Sequence, residues 1–279
     1  MISRLAGAAI RAFLVVLMIA TPSLILPGTS SDVAQVVTLV ALFAAALTFF
    51  EYASTYPGLV EFRDAPPFNR VRFGSLFLTI IMLSFLTGGA IAHSATTSIV
   101  ASIGSTVGQV IDFPYSPVRL VVLMLPPEAP VEHVHLVRDS AGLAYFISLF
   151  TLALFIIIQR AQRWPTRNGD FNVWVNLPTF DPTAGGDVVE RLERDARFNI
   201  ALGFLLPFLT PAVIKSATSL FGTVSLDSPQ TLIWTVAAWA FLPASLFMRG
   251  IAMGRIAMLI TEKRKLSSKD EGNAGLLAV

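Results

Sequence analysis

"EFRDAPPFNRVRFGSLFL", residues 61–78, passes from a charged, proline-broken turn into a long apolar run. A near-echo, "ERDARFNIALGFLLPFL", residues 193–209, makes the same passage. In both, Arg-Asp-Ala and then Phe-Asn stand at the threshold of a hydrophobic segment. Such a threshold is expected where a chain leaves water for lipid, because about 20 consecutive apolar residues cross the hydrocarbon core as a helix.

Working outward from these two thresholds, hydropathy predicts six spanning segments, 5–26, 33–50, 73–93, 141–158, 198–218 and 231–247. Composition agrees: the 279 residues are 54% hydrophobic and 14% charged, with a mean hydropathy of +0.69. A soluble domain carries about 25% charged residues. The expected fold is therefore an all-α integral membrane protein, with a six-span domain over 1–261 and a polar, disordered tail over 262–279. The first segment resembles a signal peptide, with Arg4 and Arg11 ahead of its apolar stretch. No small-x-small site follows it, so it reads as a retained helix.

The distribution of basic residues sets an orientation. With the N-terminus inside, the inner segments collect Arg4, Arg11, Arg63, Arg70, Arg72, Arg160, Arg163, Arg167, Arg191, Arg194, Arg197, Arg249, Arg255, Lys263, Arg264, Lys265 and Lys269. The outside keeps Arg119, Arg138 and Lys215. Both termini are then cytoplasmic, and with no organellar transit segment the expected location is a bacterial inner membrane. A formal net charge of +2 gives no reason to expect nucleic acid as a partner. The absence of cysteine excludes disulfides, Fe–S clusters and thiol catalysis.

The connections differ in kind. The outer insert, 94–140, opens with an uncharged amphipathic helix that puts Ile99, Val100, Ile103, Val107, Val110 and Ile111 on one face. Such a helix suits the membrane interface or a groove between spans. Next, "VRLVVLML" and "VEHVHLVRD" flank "PPEAP", a pattern that predicts a β-hairpin. The inner connection, 159–197, reads as loop through "RWPTRNGDFNVWVNLPTFDPTAGG" and as helix through "DVVERLERDARF". There Asp187–Arg191, Glu190–Arg194 and Glu193–Arg197 are expected as i,i+4 pairs.

In the echo itself, Asp64 and Asp195 are placed to accept backbone N–H groups near a helix start. Arg63 and Arg194 are placed to meet lipid phosphate or an acidic neighbour. The alignment needs a one-residue gap where Pro66-Pro67 faces Arg197, so convergence on the same local chemistry outweighs duplication.

Three groups of residues are candidates for function. Trp174, Phe180, Asp181, Arg194 and Asp195, with Arg63 and Asp64, form an aromatic and charged surface suited to docking a protein partner, or equally an interfacial belt. Pro207, Thr210 and Pro211, on one face of the fifth span, are the expected lining of a transport path, prolines being equally ordinary in packed membrane helices. His93, His133 and His135, with Glu128, Glu132 and Asp139 nearby, would hold a divalent metal if a strand put the last two histidines on one face. Gly250 and Gly254 form a GxxxG that fits either oligomerisation or packing within one subunit.

No Walker A loop, dinucleotide fingerprint, H-E-x-x-H or G-x-S-x-G elbow occurs. No cofactor and no catalytic role follow from the sequence. The leading expectation is an accessory, assembly or scaffold protein of the membrane that acts through partners at the 159–197 loop and is open to homo-oligomerisation. A facilitated small-solute transporter or channel comes second, and an outward-facing metal protein or enzyme third.

Overall fold

The computed structural model describes residues 2–276 apart from 162–163, 166–170, 182, 184 and 222–225. The described residues form helices and no strand: α1 Ile2–Ile25, α2 Ser31–Ala53, α3 Phe68–Gly89, α4 Ala95–Ile111, α5 Pro117–Val122, α6 Val131–Ala161, α7 Val173–Asn176, α8 Val188–Phe221 and α9 Pro229–Leu276. Six of these, α1, α2, α3, α6, α8 and α9, are long and apolar enough to cross a membrane. The protein is an all-α polytopic membrane protein. Leu39, Phe43, Phe50, Phe204 and Val213 stand exposed on its flanks, as side chains do when the solvent is hydrocarbon.

Helix α9 is the centre, packed against α8, α6 and α3, while α2 lies at the edge and packs mainly on α1. At about 1.5 Å per residue α9 reaches well past a hydrocarbon core of about 30 Å. It continues to Leu276, through the stretch whose polarity predicts a disordered tail. A span already in helical form propagates with little cost per added residue, which is what an isolated polar segment lacks.

Lipid provides little drive for apolar side chains to associate, so close helix approach depends on small residues. A Cβ on Gly203 of α8 would lie 2.7 Å from the Pro243 carbonyl oxygen of α9, and one on Gly250 would lie 2.7 Å from the Ala196 carbonyl oxygen of α8. Gly250 therefore serves packing within the chain. Gly108 and Gly142 join α4 to α6 in the same manner, a Cβ on Gly142 meeting the Gly108 Cα at 2.5 Å.

Pro211 has no N–H to offer the carbonyl of Pro207 one turn earlier. The Trp239 indole of α9 donates to that oxygen at 3.1 Å. Pro207 and Pro211 are buried and Thr210 is half-buried. The proline pair thus takes part in the α8–α9 contact.

The expected hairpin is instead helical. Ser116 caps α5 by accepting the Arg119 N–H at 3.0 Å, Pro117 occupies the first turn, and 131–139 form the first turns of α6. Val118, Val121 and Val137 bury beside Ile80 and Leu83, so tertiary packing overrides the β preference of these valine-rich runs. On a helix His133 and His135 stand about 200° apart, which removes the shared face the metal reading required. His133 lies 3.7 Å from Asp227, His93 and His135 are exposed, and among the described residues no three His, Cys, Asp or Glu side chains gather to hold a metal.

Helix α4 occupies a groove against α3 and α6, with only part of its apolar face turned inward. Thr97, Val100, Gly104 and Gly108 face the protein, and Ile99, Ile103 and Val110 point outward. Small residues inward and large apolar ones outward is the arrangement that suits lipid.

The two glycines of the GxxxG are predicted to differ. Gly250→Ala should lower the thermal midpoint of the detergent-solubilised protein, at a cost of about 1–3 kcal/mol from overpacking. Gly254→Ala, whose added carbon would meet Ala196 Cβ at an ordinary 3.7 Å, should leave it unchanged or raise it.

Candidate functional site: an arginine-lined cavity

Arg4 near the start of α1, Arg63 in the loop between α2 and α3, and Arg249 and Arg264 on α9 each make short-range contacts at the Arg-rich end of the bundle. Helix α2 ends there with unpaired carbonyls, as every helix does. Arg63 satisfies two of them, its Nη1 donating to Glu51 O at 3.0 Å and Ser54 O at 2.9 Å. Its side chain is 5% exposed. Arg4 donates to Ser54 O as well. The Glu51 carboxylate in turn accepts the N–H groups of Gly58, Leu59 and Val60 at 2.9–3.1 Å, folding the loop after α2 back on itself.

That loop then turns through Phe62, whose φ of 52° costs about 1 kcal/mol or more for a residue with a Cβ. The ring offsets the strain by burying completely, with centroids 4.4 Å from Phe68 and 5.6 Å from Trp164.

The long connection between α6 and α8 closes over this turn. Phe62 N–H donates to Asn176 O at 2.6 Å, Asp64 N–H to Asn176 Oδ1 at 3.0 Å, and the Trp164 indole to Ala65 O at 3.0 Å. Glu61 ties both loops to the central helix. It accepts Arg249 Nε at 2.6 Å and Nη2 at 2.8 Å in a two-pronged pair, and the Thr179 hydroxyl at 2.7 Å. Burial pushes the Glu61 carboxyl up, but the hydrogen bonds from Arg249 and Thr179 outweigh it and hold the group below its ordinary value of 4.5.

Behind this clasp lies a cavity of about 1070 Å³ between α1, α2, α3 and α9. Five arginines, Arg11, Arg63, Arg70, Arg72 and Arg249, line it against two carboxylates, Glu61 and Asp64. Arg249 is matched by Glu61 and Arg63 by Asp64 at 3.2 Å. Arg11, Arg70 and Arg72 have no carboxylate within ion-pair distance among the described residues.

Arg72 is set in the wall, its guanidinium 5.3 Å from the Phe68 ring centroid and 5.9 Å from that of Phe241. Its Nε is buried without a partner. Arg11 folds back along α1 to donate to Gly7 O at 2.7 Å and lies over Tyr52 at 4.6 Å, the snorkelling expected of a cation inside an apolar run. A smaller recess of about 530 Å³ adjoins the first and shares Arg11, Tyr52, Arg63 and Asp64 with it.

Of the residues singled out in the sequence, Arg63 and Asp64 are at this cavity, and their partners on the second arm of the echo are not. Arg194 and Asp195, 3.7 Å apart, sit on α8, which begins seven residues before Asp195 at Val188. Neither aspartate caps a helix: α3 starts after Pro67 with no side-chain cap. Of the loop's aromatic side chains, Trp164, Phe171 and Phe180 pack inward. Phe180 is buried with Arg191 4.7 Å over its face, in one cluster with Phe62 and Trp164.

Asp181 Oδ1 accepts the N–H and hydroxyl of Thr183. Trp174 belongs to α7, its side chain outside the described residues. Of the three expected helix pairs only Glu193–Arg197 forms, at 3.6 Å. Asp187 instead accepts the Val189 N–H at the start of α8 and pairs with Arg264 at 2.9 Å, while Arg191 reaches Asp181 O.

Glu61, Arg72, Arg249, Trp164 and Asn176 are the site residues that sequence reasoning passed over. The sequence signal for the arginines is position: Arg11 and Arg72 stand inside or against apolar runs.

Because the Glu61 carboxyl is lowered, its contribution is fully present above its ordinary value of 4.5 and is lost as pH falls through the lower folded-state value. Acid unfolding of the purified protein should therefore steepen below about pH 4.5. Glu61→Gln should be less stable at neutral pH and flatter across that acid window. An unaltered acid limb would assign the acid sensitivity to another carboxylate, with Asp187, also lowered, the next to replace.

Compared with known proteins, the chain matches no family model, no curated protein and no solved structure.

Proposed function

We propose that this is a non-enzymatic protein of the bacterial inner membrane, its Arg-rich end cytoplasmic, that takes an organic anion into the cavity between α1, α2, α3 and α9 and so belongs among proteins that hold or pass solutes at the membrane. One observation carries the reading. Three arginines at that cavity, Arg11, Arg70 and Arg72, have no carboxylate within ion-pair distance among the described residues, and Arg72 keeps a buried Nε unpaired. Burying a guanidinium without a counter-charge is costly, and an anion of the right shape would supply one. Guanidinium groups suit phosphate and carboxylate by their planar, two-pronged geometry. The same excess of positive charge would favour the cytoplasmic side.

The test compares charge with its absence. Thermal midpoints of the protein in an uncharged detergent are measured with glycerol 3-phosphate, dihexanoyl phosphatidate, glycerol and dihexanoylglycerol. At least one phosphate should raise the midpoint more than its neutral counterpart, and Arg72→Gln should abolish the difference. Equal responses to charged and neutral compounds would overturn the anion reading.

The accessory role is favoured by a different observation: the first turns of α8 leave Glu190, Glu193, Arg194 and Arg197 exposed. Extraction from native membranes in mild detergent should then bring stoichiometric companions that Arg194→Glu loses. A lone particle would leave the cavity as the functional feature.

A further inference from the structure

Building on the anion-binding reading, we infer that the occupant is an anionic amphiphile, a phosphate-bearing lipid whose headgroup meets Arg70 and Arg72 and whose chains run along Leu14, Val15 and Phe241. The cavity has a charged end and an apolar end. Along α9 its wall passes from Arg249 to Phe241, eight residues or about 12 Å of helix rise. Along α1 it passes from Arg11 to Val15, one turn deeper. A small hydrophilic anion would satisfy the arginines and leave the apolar half wetted. A neutral lipid would fill the apolar half and leave Arg72 without a counter-charge. Only a molecule with both parts matches both ends.

The surroundings offer a sideways route. Helix α2 packs mainly on α1, and α1 meets α9 only slightly, so the α1–α2 hairpin leans on the bundle without closing against its centre. Ile10, which lines the cavity, is also 61% exposed on the apolar flank of α1. Chains arriving from the bilayer would pass this residue without leaving apolar surroundings. Arg72 sits where the two halves meet, its guanidinium resting on Phe68 and Phe241.

Binding of dihexanoyl phosphatidate and of glycerol 3-phosphate, which share the phosphate monoester and differ in the chains, separates the possibilities. It is measured by titration on the full chain in an uncharged detergent, with dihexanoylglycerol as the control for partitioning into the micelle. Phosphatidate should bind at least about tenfold more tightly than glycerol 3-phosphate, since burying two further methylenes already accounts for that much. Val15→Trp, which fills the apolar end, should remove the advantage and leave glycerol 3-phosphate binding unchanged. Arg72→Gln should weaken both.

Equal affinities in the unaltered protein would overturn the amphiphile and leave the anion reading standing. Binding of neither would end both readings. An advantage that survives Val15→Trp, in a variant with unchanged near-ultraviolet circular dichroism, would overturn the placement of the chains. The comparison in the unaltered protein decides the first point whether or not that variant folds.

Discussion

The Glu61–Arg249 pair joins the loop between α2 and α3 to the central helix α9, and the order of the Arg-rich end follows from that connection. A half-buried ion pair of this kind contributes little net stability by itself, because desolvation of both charges offsets their attraction. What it fixes is position. With Glu61 held on α9 by a two-pronged contact and on the second loop by Thr179, Phe62 must turn inward and Arg63 must reach the end of α2. The second loop then finds backbone partners already presented at Phe62, Asp64 and Ala65. Breaking such a pair on one side leaves the other charge half-buried and alone, which makes the arrangement unforgiving.

The rest of the bundle obeys a different constraint. Hydrocarbon is as apolar as the side chains, so helices associate through close packing and through polar groups that have no water to turn to. The glycines at the α8–α9 and α4–α6 crossings let backbones touch. The buried hydroxyls mostly return to their own helices, as Thr79, Ser84 and Thr87 do, and Thr151 also bonds Ser75 across α3 and α6 at 2.9 Å. Trp239 answers the carbonyl that Pro211 leaves open. Each device removes an unsatisfied backbone or hydroxyl group from lipid.

Between these two regimes lies the cavity. It forms because the clasp draws the α2–α3 loop over to α9, while the α1–α2 hairpin is not drawn in to the same extent. Arg11, Arg70 and Arg72 stand on its walls with no carboxylate within ion-pair distance among the described residues, Arg72 half-buried and the other two exposed. A ligand that carries negative charge at one end and hydrocarbon at the other completes what the chain leaves open.

The sequence by itself determined the number of spans and the concentration of arginine at one end, because length and hydropathy of a segment are local properties and lipid enforces them without reference to neighbours. It also marked Arg63 and Asp64, through the echo. It misread the outer hairpin, since the valine-rich runs at 118–125 and 131–139 have a β preference that burial beside Ile80 and Leu83 overrides. It also read "DVVERLERDARF" as helix, and α8 begins there at Val188; what failed was the capping role expected of Asp195, which lies seven residues inside that helix. Of the aromatic residues that the sequence offers for docking in the 159–197 connection, Phe180 packs in one cluster with Trp164 and Phe62. Only tertiary structure decided the cavity, because Glu61 meets Arg249 across 188 positions of chain and no spacing rule connects residues that far apart.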